Sequence, residues 1–328
     1  MILLETVEAG GAVMSPFFAW LMSQLHALAG MRTPILTAIF SALTYLGHEM
    51  GFLFVAMVLL WCVNKKYGYR LLIIFLIGTF LQQILKAIFM IPRPWILDPS
   101  FQAVESAIPA ATGFSFPSGH TTTACLALGG LAIYLKKNWA YIAAAVLTLL
   151  VAFSRMYLGV HTLLDVGVGL LIGVVMLLVF TLVFKKNEDK KYFINVFMGV
   201  GLVLSAVLVA YLLETKPAAE AAQSVKETYD GSLKDAYKLF GAAIGMLVGK
   251  LIDDRYVQFK TETVLWKQIL KVLLGMVIVV AIWFGLKTVF PKDKPVFDCI
   301  RYFAMAIVGV GVYPLLFKKL FKGNEQRA

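Results

Sequence analysis

The stretch FSFPSGHTTTACLALGG, residues 114–130, passes from a proline-serine-glycine-histidine turn through three threonines into an apolar run. Ser118 stands where a helix N-cap would, Gly119 leaves the backbone beside it open to close approach, and His120 follows at once. Taken alone, such a turn is a reasonable helix cap. The apolar run behind it, 119–135, is long enough for a short membrane span, and that reading sets the class of the whole chain.

The composition agrees with a membrane reading. Of 328 residues, 60% are hydrophobic and 15% charged, against roughly 45–50% apolar residues in soluble chains. The mean hydropathy is +0.82. A net charge of +11 raises the question of nucleic acid, but the lysines fall in short clusters between apolar runs and form no solvated basic face, so no nucleic-acid partner is expected. Cys62, Cys125 and Cys299 lie in or beside apolar runs at spacings that fit neither a zinc site nor a disulfide framework, and read as packing residues. Glu5 and Glu8 near the start, without a basic segment before a single apolar core, argue against a cleavable signal peptide.

Read against the ~20 residues that a helix needs to cross a bilayer, the chain offers spans near 34–47, 49–63, 69–91, 119–135, 139–157 and 162–184, then near 192–213, 236–253, 267–287 and 299–317. The expected fold class is an all-α polytopic bundle. Its expected parts are an N-terminal interfacial segment (1–33), a six-helix core (34–186) and a C-terminal extension of about four helices (187–328). SPFFAWLMSQLHALAG, 15–30, carries Gln24 and His26 and reads as an amphipathic interfacial helix. The two short spans meeting at Gly47, His48 and Glu49 leave open a re-entrant segment.

Counting cations on alternate sides of this layout places 19 on one side and 9 on the other. The richer side holds Arg32 and the clusters at 65–70, 136–137, 185–191, 250–271 and 318–327. By the positive-inside rule it is cytoplasmic, with both termini there, and the segments 92–118, 158–161 and 214–235 face outward. In the last four spans Asp235, Phe240, Ala243 and Ile244 recur 63 positions later as Asp298, Phe303, Ala306 and Ile307, a loose repeat of two hairpins. Gly241, Gly245 and Gly249 form a small-residue ridge that favours close helix packing, within the chain or in a homodimer.

Three polar patches fall on the outward side. KAIFMIPRP (86–94) carries Lys86 and, after six residues, Arg93 between two prolines; PSGH spans 117–120; and Ser154-Arg155 is followed by His161 and then Asp165. Ionisable groups at membrane depth cost several kcal/mol unless paired or functional. Lys86, Arg93 and Arg155 suit a cationic cage for phosphate, with arginine's planar fork matching its oxygens. The free N–H groups at the helix start behind Ser118 and Gly119 suit the same anion. His161 and Asp165 are one helical turn apart, so the carboxylate can hold one ring nitrogen and leave the other free to attack, while His120 can protonate a leaving oxygen. Each patch has an ordinary structural reading when taken singly, the His161–Asp165 pair a local hydrogen bond; their order, shared side and spacing favour one site.

These three patches resemble the signature motifs of the type 2 phosphatidic acid phosphatase family, which includes lipid phosphate phosphatases, undecaprenyl pyrophosphate phosphatases and glucose-6-phosphatase, with soluble vanadium haloperoxidases as relatives. The likeness covers roughly 34–184. The segment TYLGHEMGFLFVAMVLLWCVNKKYGY (44–69), followed by IPRPWILDP (91–99), is similar to bacterial, clostridial-type members. The resemblance implies a six-helix core and a metal-independent phosphatase site without cofactor. Lys86, Arg93, Ser118, Gly119 and Arg155 would bind phosphate, His161 would form a phosphohistidine, Asp165 would orient it, and His120 would be the general acid.

The expected function is hydrolysis of a polyprenyl or glycerolipid phosphate or pyrophosphate at the outer face of a bacterial plasma membrane. A lipid-phosphate binding protein is one alternative. A transporter is another, although a transport site is expected near the midplane. The extension matches no catalytic motif and reads as packing or dimerisation, with 214–235 as a loop able to shape the substrate site. His48 and Glu49 are read as helix-end hydrogen-bonding groups, or as lining of a substrate entrance.

Overall fold

A computed structural model of the chain describes residues 15–186, 191–218, 221–291 and 293–317. Every regular element among them is helical: α1 Pro16–Gly30, α2 Pro34–Thr44, α3 Glu49–Val58, α4 Lys65–Phe89, α5 Pro94–Leu97, α6 Gly119–Leu135, α7 Asn138–Tyr157, α8 Leu163–Lys186, α9 Lys191–Glu214, α10 Gln223–Ile252, α11 Leu265–Val289 and α12 Pro295–Ile307. Local chemistry sets several starts. Ser15 and Thr33 each stand before a proline at the first helical position, and their hydroxyls accept from Phe18 N and Leu36 N. Ser118 does the same for α6, accepting from Thr121 N at 3.5 Å. Arg93-Pro94 repeats the proline start for the short α5.

The chain folds as two compact units, each drawn from separate stretches. Among the described residues, one holds those of 15–49, 81–175 and 216–232, the other those of 50–80, 176–215 and 233–317. In the first unit α6 and α7 pack as an antiparallel hairpin, with Ala132 of α6 against Ala140 and Ala144 of α7 and Leu128 beside them. Small residues on both faces allow that close approach. The α1 face made by Phe18 and Leu21 packs on Ile91 and Phe116, and Met22 and Leu25 pack on Phe101. In the second unit the glycine ridge finds its partner within the chain. A Cβ at Gly241 would stand 2.1 Å from the Cys299 carbonyl oxygen, and one at Gly245 2.5 Å from the Phe303 carbonyl oxygen, so α10 and α12 meet backbone to backbone. The repeat also extends to a cation: Asp235 pairs with Lys238 at 2.7 Å, and Asp298 with Arg301.

Six helices are long and apolar enough to cross a membrane among the described residues, or seven if 34–63 counts as one broken span, where ten were expected. Four expected spans lie outside those six: 34–47 and 49–63, which form the bent pair, and those of α6 and α10. α6, at 17 residues, is short, although it runs alongside the span α7. α10 is a 30-residue helix with charged residues through its first half. In the bent pair 34–47 and 49–63, which meet at 50° as a broken span or the re-entrant segment left open by the sequence, α2 has only 11 residues. At its start the Thr33 amide donates to Tyr157 Oη at 3.1 Å, and past its end Arg155 Nη1 donates to Thr44 Oγ1 at 2.8 Å. Both ends therefore meet the same turn of α7, and α2 lies across that helix end.

This placement moves Arg32. Its Nε donates to the Tyr157 carbonyl at 3.0 Å and its Nη1 to the Gln102 carbonyl at 2.6 Å, so it lies with the loop 92–118. With Arg32 counted on that loop's side, the expected layout of alternating sides holds 18 cations against 10. Helix α1 contacts that loop too, with His26 Nε2 2.8 Å from Asp98 Oδ2. Residues 1–14 and 318–328, with Glu5, Glu8 and the last cation cluster, lie outside the described residues. The expected loop 214–235 is also shorter. From Gln223 onward it is the start of α10, supported by i,i+4 pairs such as Gln223 Nε2 to Glu227 Oε1 at 2.9 Å.

The glycine contacts predict a contrast. Gly241→Ala should lower the melting transition in detergent by the equivalent of ~1–3 kcal/mol through overpacking. Gly285→Ala, with open space where its Cβ would go, should leave it unchanged or raise it, as a better helix former. Equal effects would show that α10 and α12 do not meet through this ridge.

Candidate active site

The three sequence patches converge in the first unit. The Ser118 amide donates to the Asp165 carbonyl at 2.9 Å, which ties the PSGH turn to the start of α8. The Ser118 hydroxyl is spent on the cap of α6, accepting from Thr121 N and, at 3.0 Å, from Thr121 Oγ1. A Cβ at Gly119 would stand 3.1 Å from Gln82 Nε2, so the glycine makes room for a buried amide one turn before Lys86.

Lys86 and Arg93 flank the point where α4 ends, and both grip the segment before PSGH. Arg93 Nη2 donates to the Thr112 carbonyl at 2.6 Å, its Nε to the Gly113 carbonyl at 3.0 Å, and Lys86 Nζ to the Phe114 carbonyl. Three consecutive carbonyls are thereby held by two buried cations. Arg93 Nη1 reaches further, donating to the Val160 carbonyl at 3.0 Å and to His161 Nε2 at 3.1 Å.

Because Arg93 has only N–H donors, His161 Nε2 must accept, and the ring proton lies on Nδ1. Nδ1 is 3.5 Å from Asp165 Oδ2, a little beyond hydrogen-bond length. That same carboxylate oxygen takes Ser115 Oγ and the Thr162 amide, each at 2.7 Å. Thr162 and Asp165 also form a capping box for α8, since the Thr162 hydroxyl accepts from the Asp165 amide at 3.4 Å. The His161 imidazole is held well below its ordinary pKa of 6.5. Burial is the main cause, followed by the positive charges of Arg93, Arg155 and Lys86, while the Ser115 backbone acceptor works the other way.

Arg155 is fully buried, with 0% exposure, in the field of Arg93. Only Nη1 is occupied, by Thr44 Oγ1; Nε and Nη2 have no hydrogen-bond partner among the described residues. A buried guanidinium with open donors is a strong anion receptor. His120, at the start of α6, lies within the electrostatic reach of Arg155, His161 and Arg93 and packs its ring edge-on against His48 at 5.9 Å. Gly47 accommodates that approach: a Cβ there would stand 2.5 Å from the His120 carbonyl oxygen. Ser154 takes no part, because its hydroxyl bonds the Val151 carbonyl of its own helix.

The structure thus brings Lys86, Arg93, His161, Asp165, Ser118, Gly119, His120 and Arg155 to one end of the first unit, and adds Ser115, Thr162, Thr44 and Gln82. Of the additions, Thr162 had a local signal, the T-x-x-D pattern of a cap before an apolar run. Ser115, Thr44 and Gln82 had none, since each meets its partner only through tertiary contact. Chemically, the site offers a neutral imidazole nitrogen, a second histidine, a carboxylate behind the first ring and a ring of cations.

Two family descriptions match the sequence: the PAP2 superfamily over residues 67–189, and the PAP2 superfamily phosphatase transmembrane extension over 237–326. Phosphatidylglycerophosphatase B of Bacillus subtilis is 31% identical over 176 residues, covering 49% of this chain and 79% of that protein. Sphingosine-1-phosphate phosphatase 1 of Rattus norvegicus is 25% identical over 260 residues, 72% of this chain and 56% of that one. Undecaprenyl-diphosphatase of Sulfolobus acidocaldarius is 32% identical over 120 residues, 36% of this chain and 55% of its own. The chain thus spans little more than half the length of the rat and Sulfolobus proteins.

A titration checks the electrostatics. In ring-labelled protein without added anion, the His161 resonance should stay neutral through pH 6.5 and titrate only below it. Since the unfolded ring binds protons more readily, stability should fall as pH drops below 6.5. A His161 midpoint at or above 6.5 would refute the proposed field of three cations.

Proposed function

The chain belongs to the PAP2 superfamily, and on that premise we propose that its site hydrolyses a lipid phosphate or pyrophosphate without a metal ion. The observation that carries this reading is the fully buried Arg155 with two open donor nitrogens beside Arg93 and His161. Such a group costs stability until an anion with several acceptor oxygens completes it. Phosphate answers that need, and Lys86, Arg93, the amides behind Ser118 and Gly119, and Arg155 are the residues proposed to bind it. The names of the relatives share a phosphorylated or diphosphorylated lipid, which supports that substrate class.

In the proposed reaction, phosphate oxygens draw the Arg93 donor away from His161 Nε2, which then attacks phosphorus. The bond between phosphorus and the leaving oxygen breaks, a P–N bond forms, and His120 supplies the proton that the leaving oxygen takes up. Asp165, held by Ser115 and Thr162, receives the Nδ1 proton in a hydrogen bond as the ring gains charge. Water activated by His120 then cleaves the P–N bond and releases inorganic phosphate. The positive charge that a metal would bring is carried by the three cations.

Residues 34–186 are proposed as the catalytic core, 187–328 as the extension and 1–33 as an interfacial segment. The cation bias of 18 to 10 favours a site on the extracytoplasmic face of a plasma membrane, with the lysine-rich side inside.

Two measurements test this. Detergent-solubilised protein should release phosphate from at least one of undecaprenyl pyrophosphate, phosphatidic acid, phosphatidylglycerol phosphate and sphingosine 1-phosphate with EDTA present. His161→Asn should cut the rate at least ~10³-fold. Loss of activity to EDTA, or its survival in the variant, would sink the mechanism, and flux into vesicles without phosphate release would favour transport. For orientation, a cysteine replacing the exposed Glu105 should react with an impermeant thiol reagent on intact cells. Labelling only after lysis would reverse the assigned face.

A further inference from the structure

Helix α10 leads into the segment matched to the transmembrane extension, yet its first ten residues belong to the same compact unit as the site. Its point of contact is the segment 112–114, whose three carbonyls are gripped by Arg93 and Lys86. A Cβ at Gly231 would stand 2.8 Å from the Gly113 nitrogen and 3.3 Å from its Cα. In return Gly113, at φ +64°, would place a Cβ 2.6 Å from Ser232 Oγ. The Phe114 amide points at the same hydroxyl, donating to Ser232 Oγ at 3.4 Å, and Ser232 is 1% exposed.

We propose that Gly231 and Ser232 of α10 are positioning residues for the phosphate site, setting the register of carbonyls 112–114 and, through them, the guanidinium of Arg93 and the ammonium of Lys86. The proposal rests on the phosphatase reading above. A glycine inside a helix costs about 1 kcal/mol relative to alanine, and at 231 it permits an approach that no side chain would allow. An ordinary helix-to-loop contact is filled by apolar side chains that can change rotamer. Here backbone meets backbone, so a displacement at Gly231 and Ser232 passes to the loop with little to absorb it. On the loop's other face the carbonyls end on the cations, and Arg93 in turn contacts His161 Nε2 at 3.1 Å. The extension is thereby a working part of the site, in addition to its packing role in the second unit.

The test is competitive inhibition by inorganic phosphate during hydrolysis of a short-chain phosphatidic acid in detergent, run beside thermal melting. Gly231→Ala should raise the phosphate Ki about tenfold and Ser232→Ala about threefold, sizes in keeping with lost or displaced hydrogen bonds. Gly245→Ala lies on the same helix, where its Cβ meets the Phe303 carbonyl oxygen at 2.5 Å. It should lower the melting transition and leave Ki unchanged, which separates positioning from general loosening of α10. An unchanged Ki in both site variants overturns the proposal. So does a Ki raised equally by Gly245→Ala. Should Gly231→Ala fail to fold, Ser232→Ala decides alone. Wild-type protein that neither releases phosphate from any lipid nor responds to inorganic phosphate would remove the phosphatase reading and this inference together. An active wild type with unmoved Ki removes this inference alone.

Discussion

The polar end of the first unit depends on how a buried guanidinium satisfies its donors. Arg93 presents five N–H groups and accepts nothing, so burial requires acceptors on several sides. It finds them in the carbonyls of Thr112, Gly113 and Val160 and in the His161 ring, while Lys86 takes the Phe114 carbonyl. Free carbonyls exist only where the backbone is irregular, since a helix spends its own. The segments around 112–114 and 158–161 are therefore unwound and drawn together by the same side chain. Such backbone is tolerated at membrane depth only where it lines a polar cavity or is buried in protein.

The contrast with Arg155 separates scaffold from site. One buried arginine is satisfied by the protein itself; the other keeps two donor nitrogens open among the described residues. In contact with Arg93 and within the electrostatic reach of Arg155 sits a histidine held neutral by burial and by surrounding cations. Asp165 has two duties in this arrangement. It completes the cap of α8 with Thr162 and stands behind the His161 ring, with Ser115 fixing its carboxylate. The local cap and the proposed catalytic pair share one carboxylate, so the helix start and the proposed chemistry depend on each other.

Buried polar groups in the second unit serve the helices instead. Lys271 Nζ donates to the Trp61 and Thr261 carbonyls, and Trp61 Nε1 to the Gly309 carbonyl, tying backbone from distant stretches together. Asp253 accepts from Lys65 Nζ at 2.8 Å and from Tyr69 Oη at 2.7 Å. These groups satisfy one another or the backbone, and the glycine ridge of α10 supplies the close packing around them.

Much of this was legible in the chain. The apolar runs of α6, α7 and α8 were clear because charged residues are rare within them, and PSGH and His161-x-x-x-Asp165 because their partners lie within one helical turn. Other features were set by contacts between distant residues. Arg32 sits with carbonyls 70 and 125 positions away, α2 lies across α7 because both its ends find the same turn, and α10 starts earlier than its hydropathy suggests. Ser115, Thr44, Gly231 and Ser232 escaped notice for the same cause. The sequence by itself determined the membrane class, the helix starts that carry a capping residue, and the residue types of the site, since these follow from local composition and short spacing. Tertiary structure alone decided which carbonyls each cation meets and which glycine faces which backbone. Every residue carries a carbonyl, and no pattern of side chains announces where a backbone will pass.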